Sequence, residues 1–255
     1  MIIDSHCHIY DEKLADQKIE ILNNLQKENQ IVVCCADRLE TAKQCIDLAN
    51  NNKNVYATVG VHPQVAEQFN DNTLQEFKVL IKNKKVIAIG EVGLDYYYDC
   101  APSQIQKEIL KKQIIFACEN NLPIVFHVRE ATSDFLQIIK ELAQNYKIKG
   151  VVHSFSGSIE TAKILLEYDL YFGINGIITF KNANKMLDVV KFLPLSKMLI
   201  ETDSPYLTPV PFRGKPNKPE YVKYVAEKIA ELKQISYDEV VKVTAENAKK
   251  LFNIK

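Results

Sequence analysis

The sequence predicts a single (β/α)8 barrel of the α/β class. Eight short runs rich in β-branched residues alternate with segments whose apolar residues recur at helical spacing. These runs are almost continuously apolar, which is typical of parallel strands covered on both faces. The chain has 255 residues, close to the ~250 that are typical of this architecture. No internal repeat and no linker are visible, so we expect one domain over residues 1–255.

An open doubly wound sheet is the alternative arrangement of the same elements. Such a sheet normally has a glycine-rich phosphate loop after its first strand, and the stretch DSHCHIYDE contains no glycine. The closed barrel, also called the TIM barrel, is therefore favoured. In chain order the predicted strands are Ile2–Ser5, Ile31–Ala36, Val55–Val61, Val86–Val92, Ile124–Val128, Gly150–Phe155, Leu170–Asn175 and Met198–Thr202. Two further helices are predicted after the last strand, near Glu220–Leu232 and Tyr237–Phe252.

The composition argues against several functional classes. Hydrophobic residues make up 47% of the chain and the formal net charge is zero, which is unlike a basic nucleic-acid coat or a membrane-surface protein. Any contact with nucleic acid must therefore be local. The six cysteines show no C-x-x-C spacing, and neither a signal segment nor an apolar run of membrane length is visible. We expect reduced thiols in a cytoplasmic protein that has no membrane partner.

The few histidines cluster at the ends of predicted strands, where barrels of this kind place their active sites. The five are His6, His8, His62, His127 and His153. Glu91 in GEVGLDY and Asp203 in ETDSPY lie at equivalent strand ends. Any one of these side chains alone is most simply a hydrogen-bonded or helix-capping group. Seven of them at one end of one barrel indicate a metal centre.

Arginine is also rare and follows predicted strands. The chain has three arginines against many lysines, and a planar, bidentate donor suits an oxyanion such as phosphate. For Arg38 a structural salt bridge is the favoured interpretation, and for Arg129 both roles stay open. Arg213 lies with Lys215 in the proline-rich stretch SPYLTPVPFRGKPNKPEY, which predicts a stiff basic loop that holds a phosphate.

Eight stretches in chain order resemble the motifs of the TatD family of metal-dependent deoxyribonucleases, within the amidohydrolase superfamily. They are DSHCH, GVHP, GEVGLDY, FHVR, HSFSGS, ETDSPY, FRGKPNKP and TAENAKKLF. The resemblance extends over essentially the whole chain. H-x-H alone is a weak pattern, whereas eight motifs in family order are highly specific.

The resemblance implies a binuclear metal site. The implied ligands are His6 and His8 for one divalent cation, His127 and His153 for the other, Glu91 as the bridge, and Asp203 on the first ion. Asp203 would also orient the attacking water and take its proton, so that Asp203 and Glu91 are the implied catalytic residues. Four imidazoles and two carboxylates suit Zn, Mn or Co, and the family also includes Mg-dependent nucleases, so the metal stays open.

Further residues are assigned around this centre. Implied phosphate contacts come from His62, Arg129, Arg213 and Lys215. Glu201 lies two residues before Asp203 on the same strand face, and two interpretations stay open: it orients a ligand histidine, or it is a buried core carboxylate. Tyr96, Tyr97 and Tyr98 offer aromatic surfaces on which bases can stack, although packing within the loop is the favoured interpretation for at least one of them.

The implied activity is a 3′–5′ exonuclease that acts on single-stranded or frayed DNA, with RNA as a further possible substrate. The alternative is an amidohydrolase-type enzyme that cleaves a small amide, lactone or phosphoester. A non-catalytic binding protein is disfavoured, because such a protein is expected to lose some of the ligands, and none is missing. A monomer is expected, since the histidine-rich face is complete within one chain.

Overall fold

A computed structural model describes residues 1–254, apart from the side chain of Asp71. Eight parallel strands within these residues form one sheet whose strand order follows the chain. The strands are β1 (Ile3–Cys7), β2 (Ile31–Cys34), β3 (Val55–Val59), β4 (Val86–Asp95), β5 (Ile124–Arg129), β6 (Gly150–Val152), β7 (Tyr171–Ile174) and β8 (Met198–Ile200). The predicted barrel is therefore confirmed.

Helices connect successive strands, and two more follow β8. Within the described residues they are α1 (Lys18–Lys27), α2 (Leu39–Asn51), α3 (Asp71–Leu80), α4 (Ser103–Glu119), α5 (Thr132–Leu142), α6 (Ile159–Glu167), α7 (Asn184–Phe192), α8 (Val222–Lys233) and α9 (Tyr237–Phe252). None of these helices combines the length and the apolar character that a membrane span requires.

The barrel closes where β1 meets the segment that follows β8. The backbone N–H of Asp203 donates to the carbonyl of His6 at 2.9 Å, and the N–H of His8 donates to the carbonyl of Ser204 at 2.7 Å. The hydroxyl of Ser5 reaches the carbonyl of Ile200 at 3.1 Å. This seam brings Asp203 beside the two histidines of β1.

The barrel interior is divided into an apolar half and a polar half. At the amino-terminal ends of the strands, inward side chains pack with α9, which covers that end. This cluster includes Ile3, Val33, Ile87, Val125, Val151, Tyr171, Leu199, Leu251 and Phe252. Towards the carboxyl ends, the interior positions carry His6, Glu91, His127, His153 and Glu201 instead. The polar side chains thus lie on hydrogen-bonded strands, next to the apolar cluster that fills the other end of the barrel.

Strand bounds differ from the prediction at several places that matter to the site. β1 extends to Cys7, because Cys7 pairs with Cys34 of β2. His6 therefore lies within the strand. β4 continues to Asp95, three residues past the predicted end at Val92, because Asp95 pairs in register with Arg129 of β5. β6 and β8 end earlier than predicted, since their last residues turn away to carry the site.

Gly93 allows β4 and β5 to approach closely beside the site. It pairs in register with His127, and a Cβ at this position would overlap with the His127 carbonyl oxygen. The overlapping atoms belong to the backbone, so a side-chain rotation cannot relieve the overlap.

We expect Gly93→Ala to lower the free energy of unfolding by about 1–3 kcal/mol, the usual cost of overpacking a tight interior. It should also displace His127. Urea unfolding followed by circular dichroism measures the loss. A change below about 0.5 kcal/mol, within the range of neutral surface substitutions, would show that the two strands separate freely here.

Candidate metal centre

The first group of candidate ligands comes from β1 and from the seam after β8. His6 Nε2 and His8 Nε2 are 3.1 Å apart, and Asp203 Oδ1 lies 3.6 and 3.3 Å from them. A tetrahedral ion with bonds near 2.0 Å separates neighbouring ligand atoms by about 3.3 Å. These three atoms are therefore spaced to hold one cation. Asp203 has a left-handed backbone with φ 59°, a conformation that aspartate tolerates better than most residues.

The second group comes from β5 and the end of β6. His127 Nδ1 lies 2.7 Å and His153 Nε2 lies 2.8 Å from Glu91 Oε1, and the two nitrogens are 3.4 Å apart. All three side chains are buried or nearly so. Nitrogen and carboxylate atoms this close require a proton or a metal cation between them.

Glu91 of β4 faces both groups with different oxygens. Its Oε1 belongs to the second group, whereas its Oε2 lies 3.4 Å from His6 Nε2 and 3.9 Å from His8 Nε2. The strand register of β4 against β5 shifts between Ile89 and Val92, which is where Glu91 turns inward. One carboxylate therefore lies between two pairs of imidazoles.

Hydrogen bonds on the far side of two rings settle which nitrogen faces the centre. The Nδ1–H of His8 donates to the carbonyl of Cys35 at 2.9 Å, which directs Nε2 towards Asp203. His127 Nε2–H points to Asp95 Oδ2 at 3.1 Å, which directs Nδ1 towards Glu91. Partners of this kind fix the tautomer and the orientation of metal-binding histidines.

Asp95 is a site residue that the sequence analysis missed. It is fully buried, and its Oδ2 also accepts a hydrogen bond from Gln64 at 2.9 Å. Its Oδ1 accepts from the backbone N–H groups of Tyr97 and Tyr98, at 3.0 and 3.3 Å. The signal was present, because Glu91, Gly93 and Asp95 alternate along one strand and share its inward face.

Glu201 lies against His153, one of the candidate ligands. Its Oε1 accepts the N–H of Ser154 at 2.6 Å and lies 3.4 Å from His153 Nδ1, while Oε2 is buried without a hydrogen-bond partner among the described residues. A Cβ at Gly173 would overlap with this carboxylate, so the glycine provides its space. This geometry supports the interpretation that Glu201 orients His153.

His62 is placed differently from the other four histidines. Its Nδ1 accepts the backbone N–H of Gln64 at 3.2 Å, so a neutral ring carries its proton on Nε2, 3.6 Å from Glu91 Oε1. Burial and the neighbouring charge of His127 lower the pKa of His62 to about 3, which keeps the ring neutral. His62 therefore presents an N–H donor to the centre.

The two carboxylates of the centre are ionised. Burial acts to raise the pKa of Glu91, but the positive charge of His153 and the hydrogen bond with His127 outweigh it and lower the pKa well below its ordinary value. For Asp203 burial is likewise outweighed, mainly by the hydrogen bond with His8, and the pKa is lowered. The same pairing raises the pKa of His8 to about 9. Negative oxygens and imidazole nitrogens together suit a divalent transition-metal cation.

The cationic residues predicted to bind phosphate lie outside this cluster. Arg129 stacks on Tyr97, and Arg213 stacks on Phe180 and donates to the carbonyl of Thr208 at 3.1 Å. Within residues 1–254, neither they nor the exposed Lys215 hydrogen-bonds or ion-pairs with a predicted metal ligand. The remaining arginine, Arg38, forms the expected salt bridge, at 2.7 Å to Asp37.

The loop that carries Arg213 and Lys215 is fixed to the end of β8. The buried amide of Asn217 donates to the carbonyls of Thr202 and Tyr206, at 2.9 and 2.7 Å. The hydroxyl of Thr208 bonds the carbonyl of Lys215 at 2.6 Å. These contacts agree with the stiff loop that its prolines predict, on the same end of the barrel as the histidines.

Comparison with known proteins gives the family. The sequence model described as TatD related DNase matches residues 3–253. The chain belongs to the TatD family. It is 43% identical to the uncharacterized metal-dependent hydrolase YabD of Bacillus subtilis (strain 168), with 100% of both chains covered.

Solved structures of TatD proteins have the same fold. The crystal structure of YJJV, a TatD homolog from Escherichia coli K12, aligns with a TM-score of 0.92 at 30% identity, covering 100% of this chain and 98% of that one. A TatD family hydrolase from Entamoeba histolytica aligns with a TM-score of 0.86 at 25% identity, covering 98% and 97%. The chain is thus a member of a family of metal-dependent hydrolases, and its His, Glu and Asp clusters are suited to bind the metal.

The role of Asp95 is testable. We expect Asp95→Asn to lower the affinity for a divalent cation by about 10- to 100-fold, the usual effect of removing such a partner. An amide N–H directed at His127 Nε2 forces the ring proton onto Nδ1, where the lone pair is needed. Competition with a chromogenic chelator measures the affinity.

Asp99→Asn is the matched control. It removes the same charge from an exposed position four residues further on, in the loop that follows β4, and it should leave metal affinity unchanged. If Asp95→Asn and Asp99→Asn behave alike, Asp95 does not position His127.

Proposed function

We propose that the protein is a phosphodiester hydrolase with two divalent cations, and that it removes nucleotides from the 3′ ends of single-stranded or frayed DNA. The observation that carries this proposal is the position of Glu91, whose Oε1 and Oε2 face separate imidazole pairs. A carboxylate shared in this way is the feature expected of a bridging ligand. His6, His8 and Asp203 would hold one cation, and His127 and His153 the other, with Glu91 between them.

The chain itself supplies a base beside this centre. When bound, two divalent cations neutralise phosphate charge and acidify water, which makes a resistant phosphodiester accessible to hydrolysis. Asp203 is ionised, as its lowered pKa indicates, and its side chain is 15% exposed. It can therefore take a proton from an attacking water and orient that water towards phosphorus.

The predicted phosphate contacts form an outer group around the centre. His62 offers an N–H donor whose ring stays neutral, so it can bond a phosphate oxygen at any ordinary pH. Arg213, Lys215 and Arg129 are exposed on loops or strand ends that follow β8 and β5. Cationic side chains around the centre can bind the phosphates that neighbour the cleaved bond of a DNA strand. The zero net charge of the chain favours contact with the end of a DNA strand over movement along a duplex.

The oligomeric state, the cellular location and the metal are part of the same proposal. We infer a monomer that works in the cytoplasm, where the six thiols stay reduced. Four imidazole ligands favour Zn, Mn or Co, and Mg is retained because oxygen ligands from Glu91 and Asp203 are also present. DNA is the preferred substrate of the proposal, and RNA is a comparison substrate.

The proposal is tested by hydrolysis of 3′- and 5′-end-labelled single-stranded DNA by the chain loaded in turn with Mg, Mn, Zn or Co. We expect stepwise shortening from the 3′ end. Asp203→Asn keeps one oxygen ligand but removes the proton acceptor, so its turnover should fall at least ~100-fold, within the usual range for general-base catalysis.

The same preparations are assayed on a panel of small amides, lactones and simple phosphoesters. Turnover of that panel without cleavage of DNA would replace the nuclease by the amidohydrolase-type alternative. Near-normal DNA cleavage by Asp203→Asn with full metal content would remove Asp203 as the base. The metal content of each variant is measured by elemental analysis, so that loss of the base and loss of metal are distinguished.

A further inference from the structure

An exposed aromatic cluster lies at the ends of β4 and β5, next to the centre. Tyr97 and Tyr98 are 53% and 46% exposed, and their rings meet edge to face with centroids 4.9 Å apart. The guanidinium carbon of Arg129 lies 3.9 Å from the centroid of Tyr97 and 4.9 Å from that of Tyr98. We call Tyr97, Tyr98 and Arg129 the rim cluster.

Tyr96, the third tyrosine of the run, does not belong to this surface. It is only half-buried, but its hydroxyl is committed to Asp134 at 2.8 Å, and Asp134 also pairs with Lys107 at 3.1 Å. Tyr96 therefore serves the packing of α4 and α5 against the strand ends. This agrees with the sequence-based interpretation that at least one of the three tyrosines packs within the loop.

Arg129 is held in place without using its donors. It sits in register opposite Asp95, and the N–H of Tyr96 donates to its backbone carbonyl at 2.9 Å. Within residues 1–254, its guanidinium neither pairs with a carboxylate nor donates a hydrogen bond. The stacking on Tyr97 thus orients a planar cation whose N–H groups all stay available to an anion.

The ring of Tyr97 is also available for contact with a ligand. Arg129 lies over its ring and the Tyr98 ring is perpendicular to it, yet more than half of the residue is exposed. Part of the aromatic surface of Tyr97 is therefore accessible to a flat apolar partner. An aromatic face beside an oriented cation matches one nucleotide unit, which presents a base and a phosphate together.

The rim cluster is connected to the metal centre through one carboxylate. Asp95 Oδ1 accepts the backbone N–H of Tyr97 at 3.0 Å, and Asp95 Oδ2 lies 3.1 Å from His127 Nε2. Asp95 is buried and also bonded to Gln64 and Gln106, so this connection is rigid. A strand whose scissile phosphate lies at His127 has its adjoining nucleotide within reach of Tyr97.

We propose that the rim cluster is a nucleotide-binding subsite, in which a base of the substrate strand stacks on the exposed ring of Tyr97 while Arg129 binds the phosphate attached to it. This rests on the proposed function and adds the place where one base of the strand and its phosphate are bound. It also changes the role of Arg129 from an independent phosphate contact to one half of a combined base and phosphate site.

The test measures binding of two fluorescent DNA strands to the metal-loaded protein by anisotropy. Both strands have non-hydrolysable thiophosphate links and equal length and charge, but one lacks its bases. We expect Tyr97→Ala to weaken binding of the normal strand roughly 5- to 100-fold, as loss of a base stack does, and to leave the abasic strand unaffected. Tyr97→Phe should retain normal binding, since the ring remains.

Arg129→Ala should weaken binding of both strands and reduce the salt slope of binding by about one, because a phosphate contact is lost. Tyr237→Ala is the matched control, since Tyr237 is an exposed tyrosine on α9, which carries no site residue. It should change neither affinity.

Equal effects of Tyr97→Ala on the two strands, or no effect on either, would overturn the subsite. Hydrolysis of the unmodified strand by the same wild-type preparation is also measured. This measurement distinguishes a failure of the subsite from a failure of the proposed function. If wild type hydrolyses that strand while Tyr97→Ala binds normally, only the subsite is wrong. If wild type hydrolyses no strand with any metal, the nuclease itself is wrong, and the subsite with it.

Discussion

The site depends on one shared carboxylate. Glu91 lies deep among five imidazoles, where an isolated negative charge has a high desolvation cost, and the surrounding histidines nevertheless keep its pKa well below the ordinary value. Its Oε2 lies near His6 and His8, and its Oε1 lies near His127, His153 and His62. A buried charge is retained only where it is paired or coordinates a metal, and here every pairing group is itself a metal-ligand type.

Three of the four candidate ligand histidines have an orienting contact, and each contact comes from a different strand. The carbonyl of Cys35 on the segment after β2 holds His8, Asp95 at the end of β4 holds His127, and Glu201 after β8 lies against His153. The seam between His6 and Asp203 completes the ring of strands. Small positional errors would spoil such a site, and the barrel limits them because every ligand sits on or directly after a hydrogen-bonded strand.

The barrel and the clustering of the histidines with Glu91 and Asp203 could be predicted from the sequence, because the few histidines follow predicted strands. The alternation of Glu91, Gly93 and Asp95 places Asp95 on the inward strand face, but its contact with His127, 32 residues away, depends on the register between β4 and β5. The same register places Arg129 on Tyr97, which no spacing rule predicts. The contacts of Arg213 with Phe180 and Thr208 likewise depend on how a proline-rich loop folds back. Strand ends follow from composition, whereas contacts between loops follow from packing.

The central claim is that Glu91 joins two cation sites. Its most direct test is a crystal structure of the chain loaded with Mn²⁺, with the anomalous scattering of the metal measured. We predict two anomalous peaks per chain, one among His6, His8 and Asp203 and one between His127 and His153, with a different oxygen of Glu91 on each. A single peak at saturating metal, or two peaks of which only one contacts Glu91, would contradict the claim.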